Sequence, residues 1–267
     1  MEHLRQLLED DPVKGRLDRA ALELASIHFP ELTAQPFLDQ LNELASKLGD
    51  RLRNFNDGRD FVESAQRYLF DDLGFHGNET DFFDPLNSCL NQVIERRTGI
   101  PITLSVLYME IARRLAMPVF GIGLPRHFVV EFNDGNYATY IDPFHGGRIV
   151  TARECFALAG SQVADPSLLQ RVSHKQIVMR MLKNLHGVYL RRQDLPRAVE
   201  TLGLLILGAP EVSAGYKRRG LLQMGLKRYH AARQDFERYL MLEPEASDRV
   251  EITKQIEAIH RWLARMN

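Results

Sequence analysis

The stretch that most constrains the fold runs from residue 99 to residue 147, because its pattern changes from helical to extended. From Ile102 to Leu115 apolar side chains cover most of a helical surface, which predicts a buried helix. Pro118 ends that pattern, and residues 119–123 are typical of a short strand. Two later segments alternate apolar and polar residues, which predicts the two arms of a β-hairpin. A buried helix followed by a small antiparallel sheet indicates an α+β fold.

The register of this hairpin predicts that two polar residues lie side by side. The pair Asp134-Gly135 is a strong signal for a two-residue turn. A turn centred there pairs Phe132 with Tyr137, and the same register pairs His127 with Asp142. Directly opposed residues have Cβ atoms roughly 4.5–5.5 Å apart, so the carboxylate could hold the imidazole in one tautomer. This is the base and orienter of a catalytic triad, although a structural polar pair would give the same pattern.

The order of these elements resembles a transglutaminase-like core, a fold related to the papain-like cysteine proteases. That fold has a cysteine at the start of the helix, a histidine on the next strand and an aspartate on the strand after. With the helices aligned at Pro118, the resemblance puts Pro101 where the cysteine belongs. His127 and Asp142 fall where the histidine and aspartate belong, so the resemblance implies a triad without its nucleophile.

The chain resembles more closely a bacterial family in which such a core is followed by tetratricopeptide repeats. The resemblance covers nearly the whole chain, and these phrases carry it: Asn87-Ser88, Glu95-Arg96-Arg97, Gly99-Ile100-Pro101-Ile102, Pro125, His127-Phe128, Asp142-Pro143-Phe144 and Gly146-Gly147. It implies an α+β, mostly α fold. The transglutaminase-like (papain-like) core would contain a small antiparallel sheet, with helices before it and a helical repeat after it.

The last third of the chain contains an internal repeat of 34 residues. Similar residues recur at that spacing: Leu195 and Tyr229, Ala198 and Ala232, Leu202 and Phe236, Ile206 and Leu240, Pro210 and Pro244. This is the tetratricopeptide period, so we expect repeats over 179–212 and 213–246 and a capping helix over 247–265. Gly220 supplies the small residue that the pattern requires, whereas the first repeat has His186 there.

These patterns divide the chain into four expected segments. Residues 1–55 form an N-terminal helical segment packed on the core, and residues 56–160 form the transglutaminase-like core. Residues 161–173 form a linker, in which Asp165-Pro166 is the break. Residues 174–267 form the tetratricopeptide-like helices with their capping helix.

Three side chains are candidates for the missing nucleophile. Thr103 and Ser105 lie two and four residues beyond Pro101, which moves them roughly 3 and 6 Å along the helix axis. Cys89 falls on the apolar stripe of a helix expected over residues 85–97. A cysteine in such a position is most often a small apolar filler.

A site without a nucleophile is still expected to bind. Tyr140 shares a face of the predicted hairpin with the histidine and the aspartate. The resemblance adds Pro101 at the helix start, and Asn91 and Arg96 from the preceding helix. A helix N-terminus beside an imidazole suits an anion, or the acidic or amide side chain of a partner. His145 is a possible metal ligand, but no HxH, HExxH or cysteine cluster accompanies it, so neither a metal nor a cofactor is expected.

Charge and cysteine content exclude several classes of function. The chain has 34 basic and 35 acidic residues, and a net charge of −1 gives no general basis for binding nucleic acid. No run approaches the roughly 18 apolar residues of a membrane span, so no membrane contact is expected. Cys89 and Cys155 fit neither a disulfide framework nor a zinc motif, so we expect a cytoplasmic protein.

Two functions are open at this point. One is a non-catalytic transglutaminase-like protein that binds a protein or peptide partner through the His127/Asp142 cleft and the repeats. The other is an active amide transferase or hydrolase, with His127 as base, Asp142 as orienter and Thr103, Ser105 or Cys89 as nucleophile. The replaced nucleophile favours the first, because losing one triad member typically lowers the rate by several orders of magnitude. The partner, the pathway and the oligomeric state stay open.

Overall fold

The computed structural model describes residues 1–10 and 15–266. Residues 11–14, which belong to the predicted N-terminal segment, lie outside the described residues. The chain forms two compact units, Met1–Met181 and Leu182–Asn267. Among the helices described, none is both long enough and apolar enough to cross a membrane.

The first unit is mostly helical. Its α-helices are α1 (Glu2–Asp10), α2 (Leu17–Ala25), α3 (Gln35–Gly49), α4 (Gly58–Ala65), α5 (Leu90–Arg96), α6 (Pro101–Arg114), α7 (Ala152–Leu158) and the start of α8 (His174–Arg191). Gln66–Asp72 continues α4 as a π-helix, and Pro85–Ser88 and Pro166–Leu169 are short 3-10 helices.

The strands of the first unit form two small sheets. An antiparallel sheet has the order β3 (Val119–Ile122), β4 (Val129–Asn133), β5 (Ala138–Asp142), β6 (Arg148–Val150). A separate parallel pair joins β1 (His76–Gly77) to β2 (Thr98–Gly99). The predicted α+β, mostly α fold with a small antiparallel sheet is confirmed. The parallel pair was not predicted, since strands of two residues have no alternation to recognise.

Helix α6 is the buried helix that the sequence predicted. Every residue from Pro101 to Ala112 is buried. Pro101 occupies the first turn, where the missing N–H has no helical acceptor. The Thr103 hydroxyl accepts from the Ile100 N–H (3.1 Å) and donates to the Asn87 carbonyl (2.7 Å). The start of α6 is therefore fixed to the chain segment just before α5.

The single helix predicted over residues 85–97 is wrong, because the chain is extended at Cys89. The 3-10 helix ends at Ser88, Cys89 has φ −99° and ψ 111°, and α5 begins at Leu90. The Cys89 thiol donates to the Pro85 carbonyl at 3.4 Å, the acceptor that a continuous α-helix would give to the Cys89 N–H. The apolar stripe continues across this break, so periodicity could not reveal it.

The predicted hairpin register is wrong by two residues. Phe132 pairs with Thr139 rather than with Tyr137. The two-residue turn is Gly135-Asn136, across which the Asp134 N–H donates to the Tyr137 carbonyl (3.2 Å). The positive φ of this glycine, +92°, matches the first turn position of a type II′ turn. Since the pairing shifts by two residues, each side chain keeps its predicted face.

A buried ion network between α2 and α6 was missed by sequence reasoning. Asp18 is 0% exposed and accepts from Arg16 at 3.0 Å and from Arg114 at 2.7 Å. Glu110 is also buried and accepts from Arg113 (2.8 Å) and Arg114 (2.9 Å). Although burial opposes it, the hydrogen bonds from Arg16 and Arg114 lower the pKa of Asp18 to about 2. Burial and the neighbouring Asp18 raise the pKa of Glu110.

We predict that Asp18→Asn lowers the free energy of unfolding by about 3–5 kcal/mol, because the arginines would lose their buried partner. The control is Asp72→Asn, which removes a surface pair with Arg51 and should cost at most about 1 kcal/mol. Urea denaturation measures both. The folded-state pKa of Asp18 is depressed, so its stabilisation is present above about pH 4 and is lost as the pH falls toward 2. A gap between wild type and Asp18→Asn that stays constant on acidification would contradict this account.

In its described residues, the second unit consists of helices joined by short turns, without strands. It contains the rest of α8, then α9 (Leu195–Gly208), α10 (Ser213–Gly225), α11 (Tyr229–Leu242) and α12 (Arg249–Met266). Helices α9 and α11 begin 34 residues apart and end 34 residues apart. The prediction of two helix pairs followed by one further helix is therefore confirmed.

Gly220 shows why the repeat requires a small residue. A Cβ atom there would lie 2.7 Å from the ring of Phe236, which is 0% exposed. The equivalent residues of the first repeat are His186 and Leu202. The His186 imidazole is buried and its Nδ1 lies 3.0 Å from the Ala198 carbonyl oxygen. Leu202 is smaller than Phe236, which is consistent with the larger side chain of His186 in place of Gly220.

We predict that Gly220→Ala destabilises the protein by about 1–3 kcal/mol, since the added methyl group overlaps a buried ring. Gly187→Ala is the matched control, because it also lies inside a helix but no atom lies within 4 Å of its added Cβ. That substitution should stabilise by up to about 1 kcal/mol through helix propensity. Thermal and urea unfolding measure both, and a stabilised Gly220→Ala protein would refute the packing argument.

Candidate functional site

The candidate site lies at the end of β5, where one carboxylate contacts two imidazoles. Asp142 Oδ1 lies 3.0 Å from His127 Nε2, and Asp142 Oδ2 lies 2.7 Å from His145 Nδ1. Asp142 is 0% exposed and His127 is 7% exposed, whereas the His145 side chain is 37% exposed. The predicted hydrogen bond between His127 and Asp142 is present. In the observed register Asp142 is level with Val129 rather than His127, so the imidazole reaches it diagonally.

The turn after β5 fixes the Asp142 carboxylate. The Gly147 N–H donates to the Asp142 carbonyl (2.9 Å), and the Phe144 N–H donates to Oδ1 (3.2 Å). Gly147 has φ +66°, and a Cβ atom there would lie 2.2 Å from the Phe70 ring, so this position requires glycine. The Gly77 N–H donates to the Phe144 carbonyl (3.0 Å), which ties the turn to β1.

The main chain of His127 is held from two sides. It does not open β4 as predicted; it follows a turn in which the His127 N–H donates to the Leu124 carbonyl (3.3 Å). Arg126, inside this turn, has φ +61°. The Arg180 guanidinium donates from Nη2 to the His127 carbonyl oxygen at 2.7 Å. The backbone that carries the imidazole is therefore held in place by the protein's own hydrogen bonds.

The carboxylate sets the tautomer of both histidines. Burial opposes ionisation of Asp142, but the hydrogen bonds and charges of His127 and His145 outweigh it and lower the pKa of the carboxyl group. In the neutral form of each ring, the nitrogen that contacts the ionised carboxylate donates to it, so Nε2 of His127 and Nδ1 of His145 carry the protons in that form. In that form Nδ1 of His127 presents a lone pair, while the side-chain hydrogen bond that the ring forms among the described residues is made by Nε2.

The start of α6 is connected to this site through the parallel strand pair. Gly77 pairs with Gly99, and the Gly77 N–H also bonds the Phe144 carbonyl beside the site. Pro101 follows two residues after Gly99 and lies in the first helical turn, as predicted. Its closeness to the His127 imidazole stays a prediction that this connection supports.

The three candidate nucleophiles are all completely buried. Cys89, Thr103 and Ser105 are each 0% exposed. The Cys89 thiol and the Thr103 hydroxyl donate to main-chain carbonyls, whereas the Ser105 hydroxyl has no partner among the described residues. None of them is hydrogen-bonded to His127 in the part of the chain that the structure describes.

The other predicted binding residues, Asn91, Arg96 and Tyr140, have different surroundings. Asn91 is 3% exposed, and its Oδ1 finds no hydrogen-bond partner among the described residues. Arg96 pairs with Asp84 at 2.9 Å. Tyr140 packs against an apolar cluster formed by Ile122, Leu124, Val129, Val150 and Cys155. The prediction of a polar hairpin face is thus wrong in part, because residues of α7 and of the following 3-10 helix cover it.

Cys155 lies in that cluster, near the charge of Asp142. Burial, with the carboxylates of Asp142 and Glu154, raises the pKa of Cys155 to about 11. A buried thiol that stays protonated at neutral pH is a poor nucleophile. Cys155 is therefore part of the core and does not take the place of the triad cysteine.

Exposed aromatic rings beside the site were missed by sequence reasoning. Phe82 and Phe83 are 40% and 48% exposed. The Phe82 ring centroid is 6.3 Å from that of Phe144, which in turn lies 6.0 Å from that of His127, edge to face. We call Phe82, Phe83 and Phe144 the aromatic rim. Its sequence signal was two adjacent phenylalanines inside the otherwise polar stretch 74–86.

The same histidines and carboxylate are a group that could hold a metal ion. The ligand atoms of His127, Asp142 and His145 all lie within 4.8 Å of one another, and imidazole with carboxylate is a common ligand set for zinc and iron. The separations of 3.0 and 2.7 Å are also ordinary hydrogen-bond lengths, which account for both contacts without an ion. The expected absence of a metal stays a prediction.

A buried helix, an antiparallel sheet and an imidazole–carboxylate pair at the end of β5 define a transglutaminase-like core, here followed by a helical repeat. Comparison with known families agrees with this class. Residues 35–183 match the model described as the transglutaminase-like superfamily, and residues 185–257 match a tetratricopeptide repeat. This chain belongs to the transglutaminase-like superfamily.

Its relatives include bacterial proteins of similar length. The chain is 34% identical to a UPF0162 protein of Xylella fastidiosa strain 9a5c over 232 residues, which cover 84% of this chain and 83% of the relative. It is 27% identical to a UPF0162 protein of Vibrio cholerae over 240 residues, which cover 88% of each.

A second kind of relative shares only part of the chain. F-box only protein 21 of Homo sapiens is 38% identical over 133 residues, which cover 46% of this chain and 21% of that protein. The shared segment is therefore a minor part of a longer protein. No solved structure matches the chain.

Proposed function

We propose that this protein is a non-catalytic transglutaminase-like module that binds a protein or peptide partner through the His127/Asp142 cleft and its helical repeats. The observation that carries the proposal is Pro101 in the first turn of α6, where the resemblance expects the nucleophilic cysteine. The buried candidates Thr103, Ser105 and Cys89 offer no replacement. Cys89 and Cys155 are buried and form no disulfide bond, which also fits a cytoplasmic setting.

The chemistry left at the site suits recognition. The lone pair on His127 Nδ1 accepts a hydrogen bond, and the half-exposed His145 ring adds a second polar contact. An amide side chain of a partner donates to such an acceptor, while its carbonyl suits a helix N-terminus. Phe82 and Phe83 supply exposed apolar area, and aromatic anchors of this kind dominate many interfaces.

The helical repeats extend the proposed binding surface. Tetratricopeptide helices stack into solenoids whose concave faces often hold peptides. Several large apolar side chains of the second unit are exposed: Val212, Leu221, Met241, Val250 and Trp262. Exposed apolar side chains on a repeat array support partner binding by the second unit.

The retained His127–Asp142 pair favours one alternative, an active amide transferase or hydrolase. In that function His127 acts as base, Asp142 orients it, and a non-standard nucleophile attacks the amide. The alternative requires one of the buried side chains Thr103, Ser105 or Cys89 to become accessible to a substrate. An assay for incorporation of a fluorescent amine into a glutamine peptide, compared between wild type and His127→Ala, distinguishes the two. Turnover that depends on His127 would support the alternative.

We predict that Pro101→Cys gains a reactive thiol, since a helix N-terminus and a nearby imidazole both stabilise a thiolate. Iodoacetamide alkylation followed over pH should give an apparent pKa well below the ordinary value of about 8.5. Adding His127→Ala should move that pKa back toward the ordinary value. Wild-type protein treated in parallel gives the background alkylation of Cys89 and Cys155. An ordinary, His127-independent pKa would show that position 101 is not the nucleophile position.

We predict that the aromatic rim is needed for partner recovery. Tagged full-length protein is used to recover partners from an extract of its source cells, with quantitative mass spectrometry. Phe82→Ala with Phe83→Ala, or His127→Ala alone, should reduce the leading partner at least about fivefold, since hot-spot truncations cost more than about 1 kcal/mol. Phe55→Ala is the control, because this ring is also exposed (55%). Equal recovery by all variants would show that the cleft does not bind the partner, and the proposed binding surface would then be the helical repeats alone.

A further inference from the structure

We infer that a cavity lined by Arg126, Arg171 and Arg180 is a binding site for a small organic anion that carries a carboxylate or phosphate group. The cavity has a volume of about 400 Å³. It lies between residues 123–126, residues 167–172, Gln176 and Arg180, all of them within the first unit. Its volume falls within the range of small-molecule sites, roughly 300–1,000 Å³.

The charges lining this cavity are unbalanced. Its ionisable residues are the three arginines. Glu131 neutralises one of them, since Arg171 donates to it at 2.7 Å and also stacks over Phe120 at 3.6 Å. Arg126 and Arg180 form no ion pair with any carboxylate among the described residues. Two positive charges therefore face one cavity without a counter-charge.

Arg180 is the unusual member of this set. Its guanidinium is half-buried, donates to the His127 carbonyl oxygen at 2.7 Å and lies 5.5 Å from the centroid of the Phe128 ring. Burial lowers the pKa of Arg180, which records the unfavourable loss of hydration around its charge. Buried charges are normally paired, and an anion in the cavity would pair this one.

Arg126 is an exposed residue that lines the same cavity from a turn with an unfavourable backbone conformation. The turn from Leu124 to His127 has Pro125 at its second position and needs a positive φ at its third. Glycine normally fills that third position, yet here it is Arg126 with φ +61°. A side chain in the left-handed region costs roughly 1–2 kcal/mol. Strain of this kind occurs at functional sites, and glycine relieves it, so Arg126→Gly removes the charge without straining the turn.

Polar neutral groups complete the anion site. Gln176 Oε1 accepts from the Ser173 N–H at 2.8 Å, so its amide N–H groups are left to donate to a ligand. Gln170 and Ser167 also line the cavity. A planar guanidinium binds carboxylate or phosphate through two parallel hydrogen bonds, which selects these anions over chloride.

The test measures binding of inorganic phosphate and of citrate to the full-length protein, by calorimetry and by thermal shift, against sodium chloride at equal ionic strength. The two anions distinguish a phosphate site from a carboxylate site. At least one of them should bind and stabilise the wild type beyond chloride. Arg126→Gly should bind at least about tenfold more weakly, since it loses a charge-assisted hydrogen bond. The same variant should unfold at a higher temperature without ligand, because glycine relieves the positive φ.

Lys227→Gly is the matched control, since it also removes one positive charge from a residue with positive φ (57°), but in the second unit. Its anion affinity should stay within about twofold of wild type. Arg180→Gln should also lose binding, and because that variant can fail to fold, Arg126→Gly carries the decision. The inference is overturned if neither anion binds at millimolar concentration, or if Arg126→Gly keeps wild-type affinity. It is independent of the proposed function, because partner recovery through the aromatic rim can succeed or fail separately.

Discussion

The buried carboxylate of Asp142 is the group on which the arrangement of the site depends. It is completely shielded from water, and it accepts hydrogen bonds from two imidazoles and from the main chain of the turn that follows it. A buried carboxylate without those donors would be strongly unfavourable, so the burial of Asp142 depends on the turn and on the two histidines. One carboxylate thereby orients both rings and holds the start of the turn through the Phe144 N–H, while the main-chain carbonyl of Asp142 accepts from the Gly147 N–H.

Nothing in this arrangement requires a nucleophile. Helix α6 is buried over Pro101 to Ala112, and its start is fixed by the Thr103 hydroxyl and by a proline that suits a first turn. The fold is therefore stabilised by packing and by the Asp142 hydrogen bonds, which do not involve the side chain at position 101. Under the proposed function, this separation explains how a transglutaminase-like core can keep its imidazole–carboxylate pair with Pro101 at the position expected for the nucleophile.

The parts of the structure that the sequence predicted are those encoded by long periodic patterns. The buried helix α6 and the 34-residue repeat both bury many side chains at regular spacing, and both were found where expected. Local hydrogen bonds that compete with those patterns were not predictable. The chain is extended at Cys89, whose thiol bonds the Pro85 carbonyl, and the turn before Tyr137 shifts the hairpin register by two residues. The His127–Asp142 bond was found despite the wrong register, because a two-residue shift preserves the face and the imidazole spans the difference.

Features that join distant parts of the chain were beyond the sequence. Asp18 and Arg114 are 96 positions apart, and no periodicity indicates that one charge will be buried against the other. The arginine-lined cavity is the same kind of feature, since Arg126 and Arg180 come from a turn and from a helix far apart in sequence. Its link to the candidate site is direct, because Arg180 donates to the carbonyl of the residue whose imidazole bonds Asp142. A ligand bound to Arg180 and a partner bound to the imidazole would therefore both contact the surroundings of His127. If the ligand changes the affinity for the partner, the partner must change the affinity for the ligand by the same factor.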